Sequence, residues 1–179
     1  LILAGFGGQG IMFAGQLLAY AGMLEDKHVS WIPSYGPEMR GGTANCSVVV
    51  SDKEISCPIV TEPSILVALN MPSLEKFEPS VQENGLIVYN SSLAVQPPER
   101  NSVDTLAVPG NEIAEELGSS RIVNMVMVGA LVEKTGVVSK DSVFEALGKV
   151  LPEHRRHLIP LNKSALEAAV VLRDSSGEG

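Results

Sequence analysis

The stretch Leu1-Ile2-Leu3-Ala4-Gly5-Phe6-Gly7-Gly8-Gln9-Gly10, followed by the uncharged run Ile11 to Leu24, decides the architecture of this chain. Four apolar residues that halt at a glycine cluster, with an apolar segment of helical length beyond, read as strand, glycine loop and buried helix. Ala14, Gly15, Ala19 and Gly22 are small enough for the helix backbone to lie close on a sheet. The same smallness costs helix propensity, so packing must hold the segment. Gly5, Gly7 and Gly10 satisfy the G-x-G-x-x-G spacing in the context it requires, after a strand and opening a helix. Glycines there let backbone N–H groups approach a ligand and the helix start favours negative charge, so phosphate is the natural guest. A dinucleotide site also needs an acid at the end of the second strand, and that position reads Ile32-Pro33-Ser34. Glu25 and Asp26 come before that strand, on the opposite edge of the sheet. Two readings of the glycine loop stay open: a small-ligand cradle, or a tight turn that serves helix–sheet packing alone.

Working outward, His28 to Ile32 is a second strand ended by Pro33, and Ser34 to Gly42 is a turn-rich loop. In a right-handed strand–helix–strand unit both loops leave the carboxyl edge of the sheet, so they should be neighbours in space. Arg40 offers a planar fork for carboxylate or phosphate, Gly41 and Gly42 allow an anion-cupping nest of N–H groups, and Glu38 can orient Arg40. A solvated Glu38–Arg40 pair is the plain alternative. The candidate functional surface comprises Gly5, Gly7, Gly8, Gln9, Gly10, Tyr35, Glu38, Arg40, Gly41 and Gly42.

Thr43 to Val50 is β-branched and extended, and Glu54 to Cys57 returns after the turn Ser51-Asp52-Lys53, which predicts an antiparallel hairpin and a mixed sheet. Ile65 to Leu69 and Leu86 to Asn90 read as buried parallel strands joined by a short helix over Pro72 to Phe77. Asp104 to Val108 adds a strand, and Asn111 is expected to cap a helix that meets Gly118. Ile122 to Lys134 should be an interior helix ended by Gly136; Ser139 caps Lys140 to Val150, and Asn162 to Leu172 closes the fold. The expected fold is a three-layer α/β/α, Rossmann-like domain with a mixed sheet over residues 1–172, with a polar tail at 173–179.

Composition limits the function. Of 179 residues, 13 are Lys or Arg and 21 are Asp or Glu, a formal charge of −8. The densest basic cluster is His154-Arg155-Arg156-His157, which argues against nucleic acid as a partner. A 45% hydrophobic, 19% charged chain is a globular domain able to bury roughly 70% of its unfolded surface. Glycines at 5, 7, 8, 10, 15 and 22 interrupt the charge-free start, so no membrane span is expected. The first residue is Leu1, so a trimmed start is expected, and with no signal peptide the expected location is cytoplasmic. Cys46 and Cys57 are too few for an iron–sulfur cluster or a structural zinc, and both are expected to be buried thiols. Neither a cysteine nor His28, His154 or His157 has the spacing of a catalytic pair, so no catalytic or metal-ligating residue is assigned. Met125 and Met127 read as core.

The glycine stretch Gly5 to Gly10, the run Ser34-Tyr35-Gly36-Pro37-Glu38-Met39-Arg40-Gly41-Gly42-Thr43-Ala44-Asn45-Cys46, Ile55 to Pro58 and Leu161-Asn162-Lys163 with Ala165-Leu166 together carry a resemblance. In these segments the chain resembles the gamma subunit of 2-oxoacid:ferredoxin oxidoreductases, of the 2-oxoglutarate, 2-oxoisovalerate (ketoisovalerate) or pyruvate type. The resemblance covers nearly the whole chain, and the Glu38 to Gly42 loop is its most specific part. It implies a required, noncatalytic component of an assembly that decarboxylates a 2-oxoacid to acyl-CoA and reduces ferredoxin, in anaerobic metabolism. Thiamine diphosphate, Mg²⁺ and iron–sulfur clusters would then sit on the partner alpha, beta and delta subunits, with coenzyme A as cosubstrate and no cofactor in this chain. Docking on the thiamine-binding subunits is the first role expected of the two loops, and contact with the coenzyme A phosphates the second. The rival reading is an independent nucleotide- or CoA-binding Rossmann-like protein.

Overall fold

In the computed structural model, which describes residues 1–34 and 43–168, the opening apolar run lies inside a six-stranded sheet. The strands are β1 (Ile2–Phe6), β2 (His28–Ser34), β3 (Thr43–Ser51), β4 (Ile65–Ala68), β5 (Leu86–Asn90) and β6 (Asp104–Val108), ordered β2-β3-β1-β4-β5-β6. β1, β4, β5 and β6 run parallel, whereas β3 lies antiparallel between β1 and β2. The expected mixed sheet is therefore present.

Side chains alternate across this sheet as a pleated strand requires. Leu1 and Leu3 enter one core with α1 (Ile11–Leu24), α3 (Gly110–Glu116), α4 (Val123–Thr135), α5 (Lys140–Val150) and α6 (Ile159–Ala168). Ile2 and Ala4 enter a second, smaller core under α2 (Met71–Phe77). Among the described residues the three layers are thus unequal, five α-helices on one face and one short α-helix on the other. α1 sits tightly on β2 and β3: a Cβ on Gly15 would strike the Cys46 thiol and the Trp31 ring, and one on Gly22 would come within 2.8 Å of Val29. That close approach is what the small residues of the helix make room for.

Three local expectations are corrected. Residues 54–57 form no strand. β3 uses both of its edges for β1 and β2, so no edge is left for a returning hairpin partner. Pro33 does not end β2, which continues to Ser34 with Pro33 opposite Cys46. β2 is an edge strand, where a residue without an N–H is tolerated. α3 starts two residues earlier than expected, with Pro109 and not Asn111 at its cap; it runs out at Gly118, whose φ of 83° is left-handed. α1, α2, α4 and α5 keep their expected bounds closely, α4 closed by a left-handed Gly136 and α5 capped by the Ser139 side chain on the Ser142 N–H, whereas α6 begins at Ile159, three residues before the expected Asn162. The last turn expected up to Leu172, and the tail 173–179, lie outside the described residues, as do Tyr35, Glu38, Arg40, Gly41 and Gly42.

Candidate functional site

The glycine loop takes its shape from one amide. As β1 ends, the Gln9 N–H closes a turn on the Phe6 carbonyl at 3.1 Å. The Gln9 side chain folds back so that its Oε1 accepts from the Phe6 N–H at 2.6 Å and from Asn70 Nδ2 at 3.0 Å. Gln9 is thus a positioning residue whose carbonyl is already engaged. A Cβ on Gly5 would come within 2.7 Å of that same carbonyl and 2.8 Å of Ile11, so packing alone explains a glycine there. Gly10, with φ 75°, is the α1 cap and lies against Asn124, which would collide with any added Cβ. Gly7 and Gly8 form the exposed tip, and Gly8 adopts φ 95° with open space around it. The structural reading therefore accounts for Gly5 and Gly10, while the tip is free to meet something outside the chain.

Asn70, two residues past the end of β4, accepts the Ser73 N–H to cap α2 while it donates to Gln9. Asn90, fully buried at the end of β5, donates to the Leu69 carbonyl (3.3 Å) and to Asn111 Oδ1 (2.9 Å), and accepts the Gly110 N–H (3.0 Å). On the first turn of α4, Asn124 donates to the Gly10 carbonyl at 3.1 Å. These buried amides tie the carboxyl ends of β1, β4 and β5 and the starts of α1, α2, α3 and α4 into one edge. The sequence reading missed them. Their signal was a single Asn at the end of an apolar strand, or inside the apolar helix Val123 to Val132.

The register fixes where the second loop is anchored. Phe6 pairs with Thr43 and Ser34 with Asn45, so both anchors of residues 35–42 stand at the edge from which the glycine turn leaves. β2 lies two strand spacings, about 10 Å, from β1, because β3 intervenes. A dinucleotide fold places its acid-bearing second strand beside the first. Here β2 ends on Ser34, and Glu25 is at the far edge, where it accepts the Ser139 N–H.

Neither cysteine has the surroundings of an activated thiolate. Cys46 is buried and donates to the Ile11 carbonyl at 3.6 Å; burial pushes its thiol up to about 11, against the lowering effect of the neighbouring Trp31 indole. Cys57 is exposed, which corrects the expectation of two buried thiols; it lies in the segment that forms no strand. At the start of α3 the Ser92 hydroxyl donates to Glu112, which holds that carboxyl below the ordinary range. Among the described residues no group of three His, Cys, Asp or Glu could hold a metal, and no helix is long and apolar enough to cross a membrane.

Comparison with known proteins places this edge in context. The pyruvate ferredoxin/flavodoxin oxidoreductase family matches residues 1–172. The chain belongs to that family. It is 37% identical to 2-oxoglutarate synthase subunit KorC of Methanothermobacter marburgensis, covering 84% of this chain and 84% of KorC. It is 40% identical to ketoisovalerate oxidoreductase subunit VorA of Methanothermobacter thermautotrophicus over 99% of this chain, and spans only 37% of VorA's length. The solved gamma subunit of a keto/oxoacid ferredoxin oxidoreductase from Geobacter sulfurreducens superposes with a TM-score of 0.81 at 30% identity. That alignment covers 95% of this chain and 97% of the Geobacter chain, so the family member and the solved subunit share one α/β fold.

Proposed function

We propose that this chain is a noncatalytic, gamma-type component of a 2-oxoacid:ferredoxin oxidoreductase, a single domain over residues 1–172 that works at the carboxyl edge of its sheet. The observation that carries the reading is the nearly end-to-end, two-way match to the Geobacter gamma subunit. An edge with an exposed glycine tip is in keeping with it. The assembly would convert a 2-oxoacid, coenzyme A and oxidised ferredoxin to acyl-CoA, carbon dioxide and reduced ferredoxin. Thiamine diphosphate, Mg²⁺ and the clusters would reside on alpha, beta and delta companions. The relatives VorA and KorC favour a branched-chain 2-oxoacid or 2-oxoglutarate as substrate.

Within that assembly Gly7, Gly8 and the 34–42 loop, with Arg40 at its centre, dock on the thiamine-bearing companion. The second role for the same residues is contact with the coenzyme A phosphates, which exposed N–H groups beside a helix start would favour. The rival reading, an independent dinucleotide-binding protein, is weakened by β3 lying between β1 and β2 and by Ser34 where an acid is needed.

The test is purification of the native assembly through a tag on this chain, then turnover with several 2-oxoacids. The expected product is a brown, thiamine-containing complex active on 2-oxoglutarate or 2-oxoisovalerate. A colourless lone chain with a large thermal shift in NAD would overturn the proposal in favour of its rival.

A further inference from the structure

Beside the glycine turn, on the face that carries α1 and α4, a cavity of about 750 Å³ opens between Gly10, Asn124 and the 3₁₀ turn Glu153–Leu158. Its cations are Arg121 and Arg155, with His154 and His157 beside them, and no acidic side chain is among its described lining residues. All four are exposed, and among the described residues none of them is in an ion pair. The more buried part of the lining, its floor, is apolar and includes Phe13, Leu158 and Leu161. This is a concentrated positive surface on a chain whose formal charge is −8.

We propose that this cavity receives an acidic segment of a companion polypeptide, one that carries carboxylates on both sides of an apolar side chain. Charge decides the sign of the occupant, because two arginines with no ion-pair partner among the described residues, on an otherwise anionic protein, steer and hold anionic groups. The floor decides the class. A free phosphate would satisfy the rim and leave Phe13, Leu158 and Leu161 uncovered, and the charged groups stand on the rim with none buried to grip a phosphate. A peptide with an apolar residue between acids covers the floor and meets Arg121 and Arg155 at once. The α1 start reinforces the choice: it has neither a side-chain cap nor an acid in its first turn, so the positive end of that helix adds to the potential at the same place. The proposal rests on the functional reading that the chain works against companion subunits.

The test uses the assembly purified through a tag on this chain. The variant R121E/R155E should lower recovery of the companions by about tenfold, and wild-type recovery should fall steeply with salt. In a separate R155K chain, carbodiimide coupling of the assembly should join Lys at that position to Asp or Glu of a companion peptide with an apolar neighbour. A wild-type assembly that forms and is matched by R121E/R155E at every salt concentration overturns the proposal and leaves the functional reading standing. Coupling only within this chain or to a second copy of it also overturns the proposal. So does an R155K site shielded by millimolar pyrophosphate while assembly is unaffected, which would assign the cavity to a phosphate ligand. A wild-type chain that purifies alone removes both the proposal and the reading beneath it.

Discussion

The two edges of the sheet are finished differently. At the edge opposite the glycine turn, backbone ends are met by side chains. Lys27 Nζ donates to the Val137 carbonyl just past α4 at 3.0 Å, Glu25 Oε1 accepts the Ser139 N–H at 2.6 Å, and Lys27 and Glu25 pair at 3.2 Å. At the carboxyl edge the strand ends are tied by Gln9, Asn70 and Asn90, yet α1 and α4 begin without side-chain caps and Gly7 and Gly8 stand exposed. One edge is closed for stability. The other is rigid below and unsatisfied at its surface, which suits a surface completed by something else.

The largest expected effect comes from disturbing the carboxyl edge at its tightest point. Gly10→Val places a branched side chain at φ 75° against Asn124, and should lower stability by about 3 kcal/mol in urea unfolding. A loss below about 1 kcal/mol would mean that the turn relaxes freely and the edge is not rigid. Next is Arg40→Ala, which should reduce assembly or acyl-CoA formation about tenfold while unfolding changes by less than about 0.5 kcal/mol. Wild-type turnover with unchanged subunit association would remove the loop from the account.

The closed edge gives a smaller, pH-dependent effect. Partial burial acts to raise the Glu25 carboxyl, but hydrogen bonds from the Ser139 N–H, Ser142, Lys27 and the Ser139 hydroxyl outweigh it and bring it down to about 2. A depressed folded-state value means the contribution is complete above the unfolded carboxyl value of about 4.5 and is lost as pH falls toward 2. Glu25→Gln should therefore cost about 1 kcal/mol at neutral pH, an amount limited by solvent screening, and flatten the decline in stability between pH 4.5 and 2. An unchanged acid limb would show that Ser139 is held by other contacts. Smallest is a thiol count: at pH 8 Cys57 should react with a thiol reagent and Cys46, buried and raised to about 11, should not. Two fast thiols would place Cys46 outside the core.

Where periodicity and local punctuation control structure, the sequence was legible. Ile11 to Leu24, Leu86 to Asn90, Asp104 to Val108 and Lys140 to Val150 form the elements expected of them, and Gly136 ends its helix as a left-handed cap. The misses are non-local. The Glu54 to Cys57 return looked like a hairpin strand because no local pattern shows that β3 already has a neighbour on each side. Pro33 looked like a stop because its tolerance depends on β2 being at an edge. At the candidate site the glycine spacing was legible, but the division of labour within it was not. Gly5 and Gly10 answer to Gln9, Ile11 and Asn124, contacts that join residues up to 114 positions apart. The charged cavity was equally hidden, since Arg121 and the 154–157 cluster meet only through the packing of α4 and α6. The family resemblance carried what spacing could not, and the match over residues 1–172 bears it out.

The central claim, that the carboxyl edge is the working surface, is tested most directly by amide hydrogen exchange of the lone chain against the purified assembly. The account predicts strong added protection at Gly7 to Gly10 and at 119–124, with little change at 136–143, where the N–H groups already have partners. Added protection confined to 136–143, with the glycine turn exchanging as fast as in the lone chain, would contradict it.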